Sequence, residues 1–100
     1  MPNILSGPIS ASAPTNVLVG VASGAAVAAN NNRVGLVLVN ISNSTVYLGL
    51  QGAVAVLNSG IVLTPNGGSF SMDEYSYNTD AVTAIAHVAG STLTIQELIR

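Results

Sequence analysis

The sequence predicts an all-β domain: an antiparallel β-sandwich or partly closed barrel, jelly-roll-like, of seven to eight short strands. Short segments rich in Val, Ile and Leu recur between turns of Asn, Ser and Gly, a pattern typical of such folds. No stretch keeps the 3.6-residue apolar period of an amphipathic helix. A chain of 100 residues is long enough for one such domain with a single core.

The N-terminal residues 1–15 are predicted to form an extended arm that precedes a sandwich domain at residues 16–100. The arm contains three of the four prolines of the chain, which disfavour a helix and favour extended backbone. Chain termini are commonly disordered, but Ile4, Leu5 and Ile9 give this arm apolar side chains to bury on a neighbouring molecule. We therefore treat these three residues as candidate interface residues.

The domain is predicted to begin with a strand at residues 16–21. Residues 25–29 are a weaker strand candidate, and a single helical turn is an alternative there, because alanine favours helix and packs poorly on a sheet. Residues 34–41 and 45–50 are two β-branched segments that flank a three-residue polar link. They are predicted to form an antiparallel hairpin.

The segment Leu36-Val37-Leu38-Val39 is apolar at every position, so both faces of its strand need covering. We expect one face to pack on the second sheet and the other on the arm or on another copy of the chain. Further strands and turns are predicted downstream. They are strands at 53–58, 60–64, 69–72, 81–89 and 91–99, with the strongest turn at 65–68 and a polar loop at 73–80.

The charge content is low: 6% of residues are charged, where soluble domains average about 25%. A small monomer normally covers its surface with charge, so part of this surface is predicted to be buried on copies of the chain or on a large partner. No basic patch favours nucleic acid, and no apolar run favours a membrane span. The chain has no cysteine, which excludes disulfides and thiolate metal sites.

No catalytic group, cofactor or metal ion is expected. His87 is the single imidazole and shares a strand face with small apolar neighbours, with no nearby acid to orient it as in a catalytic triad. It is interpreted as a packed or interface residue. Arg33 is interpreted as structural, either satisfying loop carbonyls or pairing with an acid.

The predicted polar loop holds three of the four acidic residues and two tyrosines. Asp73 and Glu74 are adjacent and point to opposite sides of extended backbone, so they do not form a glycosidase pair. Together with Asp80 they lack the spacing of a calcium loop. Tyr75 and Tyr77 share one face, and three readings stay open for them: a cap on the sandwich edge, a protein interface or a glycan platform.

Three stretches carry a family resemblance. They are NRVGLVLVNISNSTVYLGL, GIVLTPNGGSFSMDE and AVTAIAHVAGSTLTIQEL. Their order of strands and turns, over about residues 30–99, resembles the small β-sandwich proteins of tailed bacteriophage virions. The turn at residues 65–68 is longer than the Pro-Gly turn of that pattern, which should lengthen only a loop, and the arm lies outside it.

The resemblance implies a structural, non-enzymatic virion protein. We expect a capsid decoration (cement) protein, a homotrimer that is made in the cytoplasm of a bacterial host and binds the major capsid protein on the capsid surface. It would stabilise the phage head by bridging neighbouring capsid subunits. The alternative is a fibre, spike or receptor-binding domain that recognises host-surface glycans through Tyr75 and Tyr77.

Overall fold

Nine β-strands and no helix make up the regular structure of residues 9–72 and 79–100, the part of the chain that the computed structural model describes. The strands are β1 (Ser10–Ala11), β2 (Thr15–Val19), β3 (Gly24–Val27), β4 (Arg33–Asn40), β5 (Val46–Gly49), β6 (Ile61–Leu63), β7 (Ser69–Met72), β8 (Val82–Ala86) and β9 (Ser91–Ile99). They form two antiparallel sheets, so the predicted β-sandwich is confirmed.

The two sheets have the strand order of a jelly roll. In the five-stranded sheet β1 and β2 both pair with β9, which pairs with β4, which pairs with β7. In the four-stranded sheet the order is β3, β8, β5, β6. Strands pair from the two ends of the chain inward: β2 with β9, β3 with β8, β4 with β7 and β5 with β6. The chain is therefore one long antiparallel ribbon rolled into two layers.

The core lies between the two sheets and follows from strand alternation. Leu36 and Leu38 of β4 are fully buried, whereas Val37 and Val39, which alternate with them, point to the outer side of the sheet. Strand β9 alternates in the same way. The buried cluster consists of Val19, Val27, Leu36, Leu38, Val46, Leu48, Leu63, Met72, Val82, Ala84, Ala86, Leu93 and Ile95.

The predicted hairpin of residues 34–41 with 45–50 is wrong. Strand β4 pairs with β7 and β9, and β5 pairs with β6 and β8, so the link at residues 42–44 carries the chain from one sheet to the other. Asn40 fixes this crossing. Its Nδ2 donates to the carbonyl oxygens of Ser44 (2.8 Å) and Leu63 (3.0 Å), and its Oδ1 accepts from the backbone N–H and the hydroxyl of Ser42.

The remaining strand predictions had mixed outcomes. The segment predicted at residues 25–29 is a strand rather than a helical turn, but β3 ends at Val27 (Gly24–Val27). The turn at 65–68 is confirmed: Asn66 and Gly67 take positive φ of 60° and 126°, which these residue types tolerate. Strand β9 (Ser91–Ile99) matches its predicted range. Residues 53–58 belong to neither sheet, so the strand predicted there is wrong.

Candidate interaction surfaces

The N-terminal part of the described chain lies along β9 of the same molecule. Ser10 and Ala11 pair with Ile99 and Leu98, and β2 resumes the same ladder at Thr15 opposite Ile95. Between these pairs, the three residues 12–14 face only two residues of β9, Gln96 and Glu97. This is the geometry of a β-bulge. Within it, the Ser12 N–H donates to the Glu97 carbonyl at 2.9 Å, and Gln96 Nε2 donates to the Ser12 carbonyl at 3.0 Å. Residues 10–15 are thus tied to the sandwich.

Arg33 is the most buried charged side chain in the described part of the chain, with no solvent exposure. Its Nε donates to Glu97 Oε2 at 2.8 Å. Its two terminal nitrogens donate to the carbonyl oxygens of Asp80 (2.7 Å) and Ala28 (2.6 Å). The guanidinium therefore joins two loops and two strands at one end of the sandwich. The interpretation of Arg33 as structural is confirmed, and it does both of the things expected of it.

The outer face of the five-stranded sheet carries no ionisable side chain among the described residues. By register this face consists of Ala11, Asn16, Leu18, Gly35, Val37, Val39, Ser69, Ser71, Thr92, Thr94, Gln96 and Leu98. We call it the uncharged face. Leu18 and Val37 are 73% and 42% exposed on it, and Ile41 is exposed at its end. A shallow hollow of about 220 Å³ over Val37 and Val39 is bordered by Pro14.

The outer face of the four-stranded sheet is covered instead by the β5–β6 loop, residues 50–60. Ala55 and Leu57 of this loop pack on Tyr47 and Ile85, which point outward from β5 and β8. Thr83 Oγ1 donates to the Ala53 carbonyl at 2.5 Å. A second small apolar cluster thus forms outside the main core, and the loop presents its remaining side chains to solvent.

A groove runs between this loop and the edge of the sheet. It has a volume of about 310 Å³ and is lined by Leu48, Gly49, Leu50, Ala53, Val54, Val56, Ser59, Gly60 and Ile61. We call it the loop groove. None of the lining residues is charged, and Val54 and Val56 are 74% and 56% exposed. The loop groove is therefore a second apolar surface, formed by β5, β6 and the loop between them.

His87 belongs to the edge of the outer cluster. It follows the last residue of β8, is exposed, and its ring stands edge-on to Tyr47 with ring centroids 5.6 Å apart. Its Nε2 lies 3.3 Å from Asn58 Oδ1, which also accepts the Tyr47 hydroxyl at 3.0 Å. These contacts hold the end of the β5–β6 loop in place, and none of the described carboxylates is among the partners of the imidazole. The ring contact with Tyr47 fits the interpretation of His87 as a packed or interface residue, and its exposure leaves both alternatives open.

Four of the five predicted interface residues fall outside the described part of the chain: Ile4, Leu5, Tyr75 and Tyr77. Ile9 is described and exposed. Asp73 and Glu74 also lie outside the described residues, and the described ranges contain no cluster of three or more His, Asp or Glu side chains that could hold a metal ion. Since the described residues include no helix, they include none that could cross a membrane.

The sequence analysis predicted that the outer side of residues 36–39 needs covering, but it did not predict that Leu18 and Ile41 lie on the same face. Leu18, Val37 and Ile41 converge on one face only because β2 and β4 are both neighbours of β9. The sequence does contain a signal of an apolar outer face, because Val37 and Val39 alternate with Leu36 and Leu38 in an apolar segment. Val54 and Val56 carried a similar signal in a segment that was interpreted as an ordinary strand.

Comparison with known proteins gives one structural likeness. No protein-family model matches the chain, and no curated protein matches it in sequence. A solved structure from Bacillus endospore appendages, described as forming a novel family of disulfide-linked pili, has a similar fold, with a TM-score of 0.51. The match covers 92% of this chain and 89% of that chain at 15% sequence identity. Similarity at this level supports the jelly-roll fold and does not extend to function.

Proposed function

We propose that this chain is a structural virion protein, a decoration protein that assembles as a homotrimer and binds the surface of a bacteriophage head. The observation that carries the proposal is the uncharged face, which exposes Leu18, Val37 and Ile41 and has no ionisable side chain among the described residues of its strands. Such a face can be buried without removing an ion from water, which would cost several kcal/mol per ion. A partner with a similarly neutral surface would gain apolar contact at about 25 cal/mol per Å².

The assignment to a phage head rests on the resemblance in residues 30–99. The jelly roll is compatible with it, because viral capsid domains are among the proteins that use this fold. The fold also serves unrelated proteins, so it adds no specificity of its own. The role is mechanical: each copy lies across neighbouring capsid subunits and resists their separation.

The pilus likeness does not lead to a different proposal. The neighbouring protein is described as forming disulfide-linked pili, whereas this chain contains no cysteine. Any assembly that it forms must rest on non-covalent contacts. The low charge and the uncharged face are features of this chain itself, and they are what an assembly without covalent links requires.

The test has two measurements on the complete chain. Light scattering at two protein concentrations gives its mass in solution, and co-sedimentation with phage heads that lack the protein gives its affinity for the capsid. Val37→Lys places a charge at the centre of the uncharged face and is expected to weaken head binding by roughly tenfold or more. Val88→Lys is the matched control, since Val88 is an exposed apolar residue in the turn between β8 and β9.

The proposal fails if the unaltered chain is a monomer at both concentrations and stays in the supernatant when heads are pelleted. It also fails if the Val37→Lys and Val88→Lys proteins bind heads equally well, since the uncharged face would then take no part in binding.

A further inference from the structure

The β5–β6 loop contains an extended segment, residues 53–57, that belongs to no sheet. Its side chains alternate as in a strand: Ala55 and Leu57 face the sandwich, and Val54 and Val56 face solvent. Left-handed residues bound it on both sides, Gln51 and Gly52 before it and Asn58 and Gly60 after it. The segment is thus held extended without a neighbouring strand in the described part of the chain.

The backbone of this segment is anchored along one edge. The Ala53 carbonyl accepts from Thr83 Oγ1, and the Ala55 N–H donates to Ser23 Oγ at 2.9 Å. In extended backbone the polar groups of successive residues point to opposite edges, so those of Val54 point away from both partners. The exposed edge of the segment borders the loop groove, which is lined by Val54 and Val56.

We propose that the loop groove binds the N-terminal segment, residues 1–8, of a second copy of this chain, in extended form. The inference rests on the proposed function only in requiring that copies assemble. It names the two surfaces through which neighbouring copies hold each other.

The chemistry of the segment matches the groove. Residues 1–8 carry no charged side chain and include the adjacent apolar residues Ile4 and Leu5. Extended peptides add to exposed strand edges through main-chain hydrogen bonds, with side-chain pockets providing selectivity. Ile4 and Leu5 supply the apolar side chains that such a groove can bury.

The placement of the two surfaces favours exchange between copies. The segment joins the described chain at Ile9, next to β1 of the five-stranded sheet, whereas the groove is lined by residues of β5 and β6 in the four-stranded sheet and of the loop between them. Each copy then gives one segment and receives one. Such a head-to-tail contact closes into a ring when the rotation between copies permits, and a trimer is the smallest ring beyond a dimer.

The experiment compares association constants from analytical ultracentrifugation of the complete chain. The groove variant is V54S with V56S, and its control is V88S, since Val88 and Val56 are both 56% exposed. The segment variant is I4S with L5S, and its control exchanges two polar residues of the same segment (N3S with S6N). We expect each test variant to associate roughly tenfold or more weakly than the unaltered chain, and each control to associate normally.

Mixing the two test variants shows whether the contact forms between copies. The segment variant keeps an intact groove, and the groove variant keeps an intact segment. In the mixture the intact segment can therefore bind the intact groove, and a mixed dimer forms. If both variants associate weakly and their mixture associates no more strongly than either alone, the proposal is overturned. The segment would then bind the groove of its own chain. Test variants that associate like the unaltered chain would also overturn it, and if they still bind phage heads the proposed function stands without it.

Discussion

Arg33 and Glu97 join the beginning of β4 to the end of β9, with 2.8 Å between Nε and Oε2. Arg33 is fully buried, and the Glu97 side chain keeps 21% of its exposure. The guanidinium also donates hydrogen bonds to carbonyl oxygens of two loops. A charge in this position is stabilising only while all of its partners remain, because an unpaired buried charge is costly.

Replacing Arg33 with Met should therefore destabilise the fold. The methionine fills much of the same volume but leaves the Glu97 carboxylate and two loop carbonyls without their donor. The expected loss is about 3 kcal/mol in the free energy of unfolding. Urea denaturation followed by circular dichroism measures it.

Glu97→Gln is the companion variant. Its amide oxygen can still accept from Arg33 Nε, so the expected loss is smaller, about 1 kcal/mol. An Arg33→Met protein as stable as the unaltered chain would show that the network adds no net stability, and a larger loss in Glu97→Gln than in Arg33→Met would contradict the role given to the carbonyls.

Asn40 is predicted to be intolerant of the change to Asp. The two side chains have nearly the same shape, but a carboxylate cannot donate to the carbonyl oxygens of Ser44 and Leu63. Both oxygens would then face a buried negative charge, and the expected cost is about 2–4 kcal/mol. Thermal unfolding at neutral pH measures the loss.

Asn43→Asp, in the same link between sheets, is the control for this prediction because Asn43 is exposed. It should leave the unfolding temperature within about 2 °C of the unaltered chain. Equal effects at the two positions would mean that the hydrogen bonds of Asn40 do not hold the crossing.

The crossing at residues 42–44 also shows which feature of the fold local sequence cannot predict, namely the pairing of strands. Local patterns predicted that residues 34–41 and 45–50 contain strands, and both do. They could not predict which strands pair, because a short polar link suits a hairpin and a passage between sheets equally well. The choice depends on contacts distant in sequence, such as the pairing of β4 with β9 and the bond from Asn40 to Leu63.

Residues 53–58 also show that local sequence does not determine strand pairing. Their side chains alternate between inward and outward as in a strand, but a strand is defined by its partner, and no described strand lies beside them. Turns were easier to predict. At residues 65–68 the preference of Asn and Gly for positive φ is a property of the residues themselves.

The two faces of β4 predict opposite responses to truncation. Leu38→Ala removes a fully buried side chain from the core and should cost about 2–5 kcal/mol, including the cavity left behind. Val37→Ala, one residue earlier on the uncharged face, should cost less than about 1 kcal/mol. Urea denaturation of both proteins below the concentration at which they associate tests this contrast, and similar losses would mean that the outer face of β4 is already buried in the single chain.

Gly68 is predicted to be irreplaceable for lack of space. A Cβ at this position would lie 2.5 Å from the Thr64 carbonyl oxygen and 2.8 Å from the Leu63 carbonyl carbon, besides meeting the Thr64 nitrogen. These are backbone atoms, so the turn itself must shift. The shift would disturb the hydrogen bond from the Asn40 N–H to the Gly68 carbonyl. Gly68→Ala should therefore cost about 2–3 kcal/mol.

Gly24 is the matched control for Gly68. It begins β3, has no positive φ, and a Cβ there meets no heavy atom within 4 Å. Gly24→Ala should be neutral or stabilise the fold by about 0.5 kcal/mol, because alanine restricts the unfolded chain more than glycine does. Differential scanning calorimetry of the two proteins separates these outcomes. If Gly68→Ala unfolds at the same temperature as Gly24→Ala, the turn at residues 65–68 is not packed against Thr64 as described, and the crossing that Asn40 fixes would lose one of its supports.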